Sequence, residues 1–111
     1  FILGVTVLTS QKSSIAKVLK LSRLAKKAGL DGVVASVHEA ESIKKNLGVS
    51  FIVLTPGIRV EGRDKGDQVR VATPQEAKKS QVDFIVVGRP IIKAKDPRRV
   101  ARSILNVLKD E

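Results

Sequence analysis

Four short apolar runs, FILGVTVL at 1–8, VVA at 33–35, FIVL at 51–54 and FIVV at 84–87, alternate along the chain with segments of helical periodicity. Apart from Gly4 and Thr6 in the first, the runs are continuously apolar, without the in-out alternation of a strand that keeps one wet face. That pattern belongs to strands buried on both sides of a parallel sheet. Parallel neighbours cannot be joined by tight hairpins and need crossover connections, which the intervening helical segments supply. The expected fold is therefore α/β, four βα units in a single domain over residues 1–111, with strands at Phe1–Leu8, Val33–Ala35, Phe51–Leu54 and Asp83–Gly88.

Capping and periodicity place the helices between them. From about Ser13 to Ala28, the residues Val18, Leu21, Leu24, Ala25 and Ala28 share one face, Lys20, Arg23, Lys26 and Lys27 lie on another, and Leu19 falls outside the stripe. Gly29 is placed to end this helix in the left-handed conformation. Ser36 and Glu39 have the spacing of a capping box and open a helix over Val37–Leu47 that Gly48 stops. Thr73, Pro74 and Glu76 open a short helix reaching Ser80 with the same spacing, and Asp96 with Pro97 opens the last one. On that last helix Val100, Ala101, Ile104, Leu105 and Leu108 form the apolar face, with Arg98, Arg99, Arg102 and Lys109 on the solvated remainder. His38, just inside a helix start, reads as an ordinary surface residue.

One connection is out of scale. From Thr55 to Thr73 the chain runs about 18 residues between strand and helix, against the 2 to 6 usual in an α/β unit, and loops of that length are functional or disordered. The segment carries Pro56, Gly57 and alternating charges (Arg59, Glu61, Arg63, Asp64, Lys65, Asp67, Arg70), and it reads as functional.

Composition narrows the chemistry. With no cysteine, disulfides, thiol catalysis and cysteine-based zinc sites are excluded. The absence of Cys, Met, Trp and Tyr together fits either a hot-adapted composition or deliberate simplification by an engineer. The net charge of +10, from 21 Lys and Arg against 11 Asp and Glu, would suit a polyanion. The positive residues are spread over helix faces, however, and the only aromatics are three Phe within strand runs, so base-stacking platforms are lacking and nucleic acid is not the expected partner. No apolar stretch approaches the roughly 18 residues of a membrane span and no signal-peptide pattern is present, so a cytoplasmic location and no membrane partner are expected.

Four right-handed crossover units make half of a (βα)8 barrel, which needs about 200 residues or more. The first strand begins without methionine or lead-in, so the 111 residues read as an excised or designed fragment. A four-stranded parallel sheet alone leaves two unpaired edges and one bare face. The expectation is a homodimer whose twofold axis lies along the barrel axis, closing eight strands. The competing outcome is a flattened monomer with its helices redistributed over both faces.

LTPGIR at 54–59, DQVRVATP at 67–74 and VVGRPI at 86–91 resemble the seventh and eighth strand ends of orotidine 5'-phosphate decarboxylase in its bacterial and archaeal form. LTS at 8–10 is similar to the end of that family's fifth strand, and DGVVASVHEA at 31–40 to its sixth strand and following helix, with Ala35 where the family often has cysteine. The resemblance covers nearly the whole chain but only half of the family's protein, and implies the C-terminal (βα)4 half of a TIM barrel. It implies a phosphate subsite of Gln68, Gly88 and Arg89, and a pyrimidine subsite of Ser10 and Pro56. The chemistry suits these roles. Gly88 lets the backbone approach and offers an N–H, the Arg89 guanidinium forks onto two phosphate oxygens, and the Gln68 amide donates to a third. Without the resemblance, Arg89 and Gln68 would both read as solvated loop residues. Arg59 and Arg70 could add charge near the phosphate or pair with Glu61, Asp64 or Asp67, and pairing is the favoured reading.

The family converts orotidine monophosphate to uridine monophosphate without cofactor or metal, through alternating Asp and Lys residues on its early strands. The resemblance assigns none of those to this chain. Asp64, Lys65 and Asp67 lie in a glycine-containing loop that cannot preorganise them, so no catalytic residue is assigned. The chain is thus expected to bind phosphate or a nucleotide monophosphate weakly and to catalyse nothing alone. The rival readings are one half of a two-chain active decarboxylase and an engineered self-assembling half-barrel with vestigial ligand binding.

Overall fold

The computed structural model of the protein describes residues 1–7, 14–59 and 72–109. Its elements run β1 (Leu3–Val5), α1 (Ile15–Lys27), β2 (Gly32–Val34), α2 (Val37–Leu47), β3 (Ile52–Thr55), α3 (Pro74–Lys79), β4 (Phe84–Ile85), α4 (Arg89–Ile92) and α5 (Pro97–Lys109). The strands form one parallel sheet in sequence order, β1-β2-β3-β4, so each unit lands beside the one before it. This is the winding of half an eight-stranded barrel. A doubly wound sheet would reverse its strand order to cover both faces, and here no reversal occurs.

The register explains why the strands are apolar throughout. Gly4, Val33 and Val53 form one rung, and Val5, Val34, Leu54 and Phe84 the next. Val33 and Val53 pack with Val18 of α1 and with Ala40, Ile43 and Leu47 of α2. Full burial of a Val or Ile side chain is worth about 1.5 to 3 kcal/mol, so this layer carries most of the hydrophobic stabilisation. Side chains of the neighbouring rung point the other way. There Val5 and Phe84 remain 61% and 47% exposed. Phe1 stacks on Phe84 with ring centroids 5.9 Å apart, joining the two edge strands across that face.

On α1, Leu24 and Leu19 depart from the periodicity reading for an identifiable reason. Leu24 is exposed and Leu19 packs against the core. The face of α1 that meets the sheet is centred on Val18, Ser22 and Ala25, with Ser22 fully buried and its hydroxyl donating to the Val18 carbonyl at 2.8 Å. Small residues there let the helix approach, and Leu24 lies about a third of a turn away. Leu105 is likewise exposed, and Ile104 alone among the apolar residues of α5 is buried. β1 and β4 are shorter than their apolar runs, whereas β2 and β3 match theirs in length, each displaced by one residue.

The helix ends follow their local chemistry. Gly29 and Gly48 adopt φ of 91° and 102° after α1 and α2. Thr73 caps α3 with both halves of a capping box in place. The same spacing at Ser36 and Glu39 does not form one. The Ser36 hydroxyl is turned to donate to the buried Glu39 carboxylate and does not accept from the helix backbone.

At the N-terminal ends of β3 and β4, one buried cation ties three segments together. Lys44, 5% exposed, donates to the carbonyls of Val49 and Phe51 at 2.9 and 2.8 Å and to Asp83 at 2.6 Å. The same Asp83 oxygen accepts the Val53 N–H at 2.8 Å. Every contact of the ammonium is satisfied, which is what makes its burial tolerable. Beside it, β2 and β3 approach so closely that a Cβ at Gly32 would stand 2.1 Å from the Ile52 carbonyl oxygen. Replacing Asp83 with Ala should therefore lower stability by about 2 to 3 kcal/mol, since it strands Lys44 without its counter-charge. Urea denaturation reads this directly, and a loss below about 0.5 kcal/mol would mean that the ion pair contributes little.

Candidate functional site

The C-terminal ends of β3 and β4 carry the unusual geometry. After Thr55, half-buried Pro56 and then Gly57, at φ 77°, turn the chain out of the sheet. Ile58 then bridges Ala72 in parallel, with Arg59 N–H donating to the Ala72 carbonyl at 2.8 Å and Ala72 N–H to the Gly57 carbonyl at 3.0 Å. The two ends of the long connection are thereby held side by side. Ile58 and Ala72 seal this junction against Val37 and Ala77.

The junction also fixes Arg59. Only 5% exposed, it donates through Nη1 to the Ile58 carbonyl at 2.8 Å. A guanidinium cannot shed its charge, so a buried one is costly unless compensated, and it acts as a fixed positive centre.

Beyond β4 the chain reaches Gly88 and turns at once into α4, a single helical turn. The N–H groups of Ile91 and Ile92 both donate to the Gly88 carbonyl at 3.0 Å. Gly88 has φ of −105°, and a Cβ there would meet nothing within 4 Å. Neither a left-handed backbone nor packing within the protein requires glycine at this position. Open space above it suits close approach by something else. Arg89, half-buried, begins α4, with Lys93 one turn on.

Arg59 and Arg89, from two different strand ends, line one cleft of about 670 Å³. Lys93, Lys95 and Arg99 complete its cationic wall, and Pro74, Val100, Ile104 and Val107 are among its apolar lining. No carboxylate is among the lining residues described. The size falls in the range of small-molecule sites, and the charge selects an anion. Among the described residues no group of three or more His, Cys, Asp or Glu is placed to hold a metal ion, and no helix is long and apolar enough to cross a membrane.

Of the residues expected from sequence, Gly88 and Arg89 stand together at the β4 end. Pro56 stands at the β3 end but does not line the cleft. Ser10 and Gln68 lie outside the described residues, as do Glu61, Asp64, Lys65, Asp67 and Arg70, so the favoured pairing of Arg59 with a loop carboxylate concerns residues outside them as well. His38 is exposed, as expected. Sequence reasoning missed α4 and the contributions of Lys93, Lys95 and Arg99. The basic run KAKDPRR at 93–99, directly after VVGRPI, was the available signal.

One buried polar atom at this end has no hydrogen-bond partner among the described residues, the Thr55 hydroxyl. Without one, its desolvation costs about 1 to 3 kcal/mol. Thr55→Val should raise stability by about 1 kcal/mol in a thermal or urea melt. A decrease instead would mean that the hydroxyl is satisfied by a group outside the described residues.

A model of the orotidine 5'-phosphate decarboxylase / HUMPS family matches residues 2–104. The orotidine 5'-phosphate decarboxylase of Pseudoalteromonas atlantica is 50% identical over 107 residues, covering 86% of this chain and 46% of that protein. The Helicobacter pylori protein of the same name is 55% identical over 92 residues, covering 83% and 39%. Among solved structures, orotidine 5'-phosphate decarboxylase from Lactobacillus acidophilus superposes with a TM-score of 0.79 at 34% identity, over 96% of this chain and 48% of that one. An uncharacterized conserved protein from Geobacillus kaustophilus gives 0.75 at 30%, with the same coverage. The chain thus spans about half the length of the curated relatives it matches.

Proposed function

The chain belongs to the orotidine 5'-phosphate decarboxylase / HUMPS family, and from that premise we propose that its 111 residues form one half-barrel domain carrying the phosphate and pyrimidine end of a nucleotide monophosphate site. The observation that carries this reading is the convergence of Arg59 and Arg89, from the ends of β3 and β4, on a cleft lined by cations. A phosphate monoester brings a charge of about −1.5 to −2 near neutral pH, which two guanidinium groups match. In this reading the Gly88 N–H and the Gln68 amide add donors, and Ser10 and Pro56 contact the base.

Decarboxylation of orotidine monophosphate is proposed only for a completed barrel, in which a second set of four strands supplies the lysine and aspartate. The 111 residues by themselves bind without turnover. Calorimetric titration with uridine monophosphate, beside a spectrophotometric assay of orotidine monophosphate, tests both parts. Arg89→Ala should weaken binding by about 1.5 to 3 kcal/mol, the worth of a charged hydrogen-bonding partner. Equal affinity in parent and variant would remove Arg89 from the site, and turnover by the parent would mean that catalytic groups lie within these residues.

We further propose that a second copy completes the sheet. Among the described residues, the face bearing Val5 and Phe84 has no helix against it, and β1 and β4 each keep one unpaired edge. Two copies about an axis along the barrel would pair β1 of each with β4 of the other, removing every edge and burying both exposed rungs. Light scattering after size exclusion should return the mass of a dimer. A well-folded monomer at micromolar concentration would overturn the closed dimer.

A further inference from the structure

We infer that, where a second copy closes the sheet, each seam between α5 of one copy and α1 of the other is a binding site for a multivalent oxyanion such as an oligophosphate, which ties the two copies together. This rests on the second-copy reading given above. The strand order places α1 beside α2 at one edge of the sheet and α5 beside α3 at the other, so pairing β1 of each copy with β4 of the other brings α1 and α5 of different copies side by side. Helical spacing shows which flanks meet. On α1, Val18 and Ser22 lie against the sheet, and the flank toward α2 carries Arg23, which reaches Asn46 at 3.5 Å, and Lys26, which donates to the Leu47 carbonyl at 2.7 Å. The opposite flank, turned to the open edge, carries Lys17, Lys20 and Leu24. On α5, Ile104 is buried, and Arg99, Ser103 and Val107 line the cleft together with Pro74 and Gln75 at the start of α3. The flank away from them carries Arg98, Arg102 and Leu105.

Both edge flanks therefore show two cations followed by an exposed leucine, Leu24 at 55% and Leu105 at 51%. Closure lets the leucines meet and sets Lys17 and Lys20 of one copy against Arg98 and Arg102 of the other. Nothing on the two helices offsets these charges, since neither α1 nor α5 contains a carboxylate. Asp96, just before α5, is engaged in accepting the Arg99 backbone N–H at 3.2 Å. Lys17, Lys20, Arg98 and Arg102 form no ion pair and no side-chain hydrogen bond among the described residues. Burial of Val5 and Phe84 favours closure, and the opposed cations weaken it, less so as salt screens them. An anion of several charges held between the helices turns that repulsion into attraction, and an extended oligophosphate offers oxygens to ammonium and guanidinium groups of both copies at once. The site is incomplete without the second copy.

The test is sedimentation equilibrium over a dilution series, in tripolyphosphate and in sodium chloride at equal ionic strength. The dimer dissociation constant of the parent should fall at least about tenfold in tripolyphosphate. In K17E/K20E each seam sets carboxylates against arginines, so its dimer should be about tenfold tighter than the parent's in chloride and gain less than about twofold from tripolyphosphate. R98E/R102E should do the same from the other side of the seam. K45E/K79E lowers the net charge equally, but on α2 and α3, between the two edges, and should respond to tripolyphosphate as the parent does. All the replaced side chains are exposed and none lines the cleft, and circular dichroism checks that each variant keeps the parent's fold. A parent dimer indifferent to tripolyphosphate, or a K45E/K79E variant that loses the response as K17E/K20E does, would overturn the seam site and leave the second copy standing. Monomers of the parent and of both reversal variants in either medium would remove the second copy, and the seam with it.

Discussion

A parallel sheet must be covered on both faces, and that requirement governs this molecule. Helices α1 and α2 cover one face, where Val33 and Val53 are fully buried. The strand order β1-β2-β3-β4 sends successive crossovers to the same side, so among the described residues the opposite rung of Val5, Val34, Leu54 and Phe84 has no helical layer. Stacking of Phe1 on Phe84 shelters part of that face but leaves Phe1 77% exposed. The chain covers 48% of the length of the Lactobacillus acidophilus structure on which it superposes.

The two ends of the strands divide their work. At the N-terminal ends the contacts are saturated. Lys44 satisfies two carbonyls and a carboxylate, Asp31 accepts the Ile2 N–H at 2.6 Å, and Gly32 lets β2 and β3 meet backbone to backbone. At the C-terminal ends lie the Thr55 hydroxyl, which has no hydrogen-bond partner among the described residues, the buried Arg59 guanidinium and a cleft lined by cations. In barrel proteins the ligand chemistry sits at the C-terminal strand ends and the opposite end serves stability.

Local chemistry was readable in proportion to how local it was. The helix Val37–Leu47, the terminators Gly29 and Gly48 and the capping box at Thr73 depend on residues within one turn, and all appear at the expected places. Ser36 and Glu39 have identical spacing to Thr73 and Glu76, yet both are buried, and their side chains bond each other in place of the helix backbone. Burial is not a property of spacing. The same limit explains Leu19 and Leu24, whose periodicity was clear but whose environments depend on where the sheet touches α1.

By itself the sequence determined the alternation of strand and helix, the parallel character of the sheet and, through LTPGIR and VVGRPI, the family. These are encoded in continuous apolar runs and in short motifs whose residues are neighbours in the chain. Only the tertiary structure decided that Arg59 would be buried and share a cleft with Arg89, thirty positions away, and that Lys93, Lys95 and Arg99 would join them. It alone paired Lys44 with Asp83 across 39 positions. The physical reason is that a charged side chain carries no periodic signal. Whether it ends in solvent, in an ion pair or in a cleft is settled by the elements that pack around it.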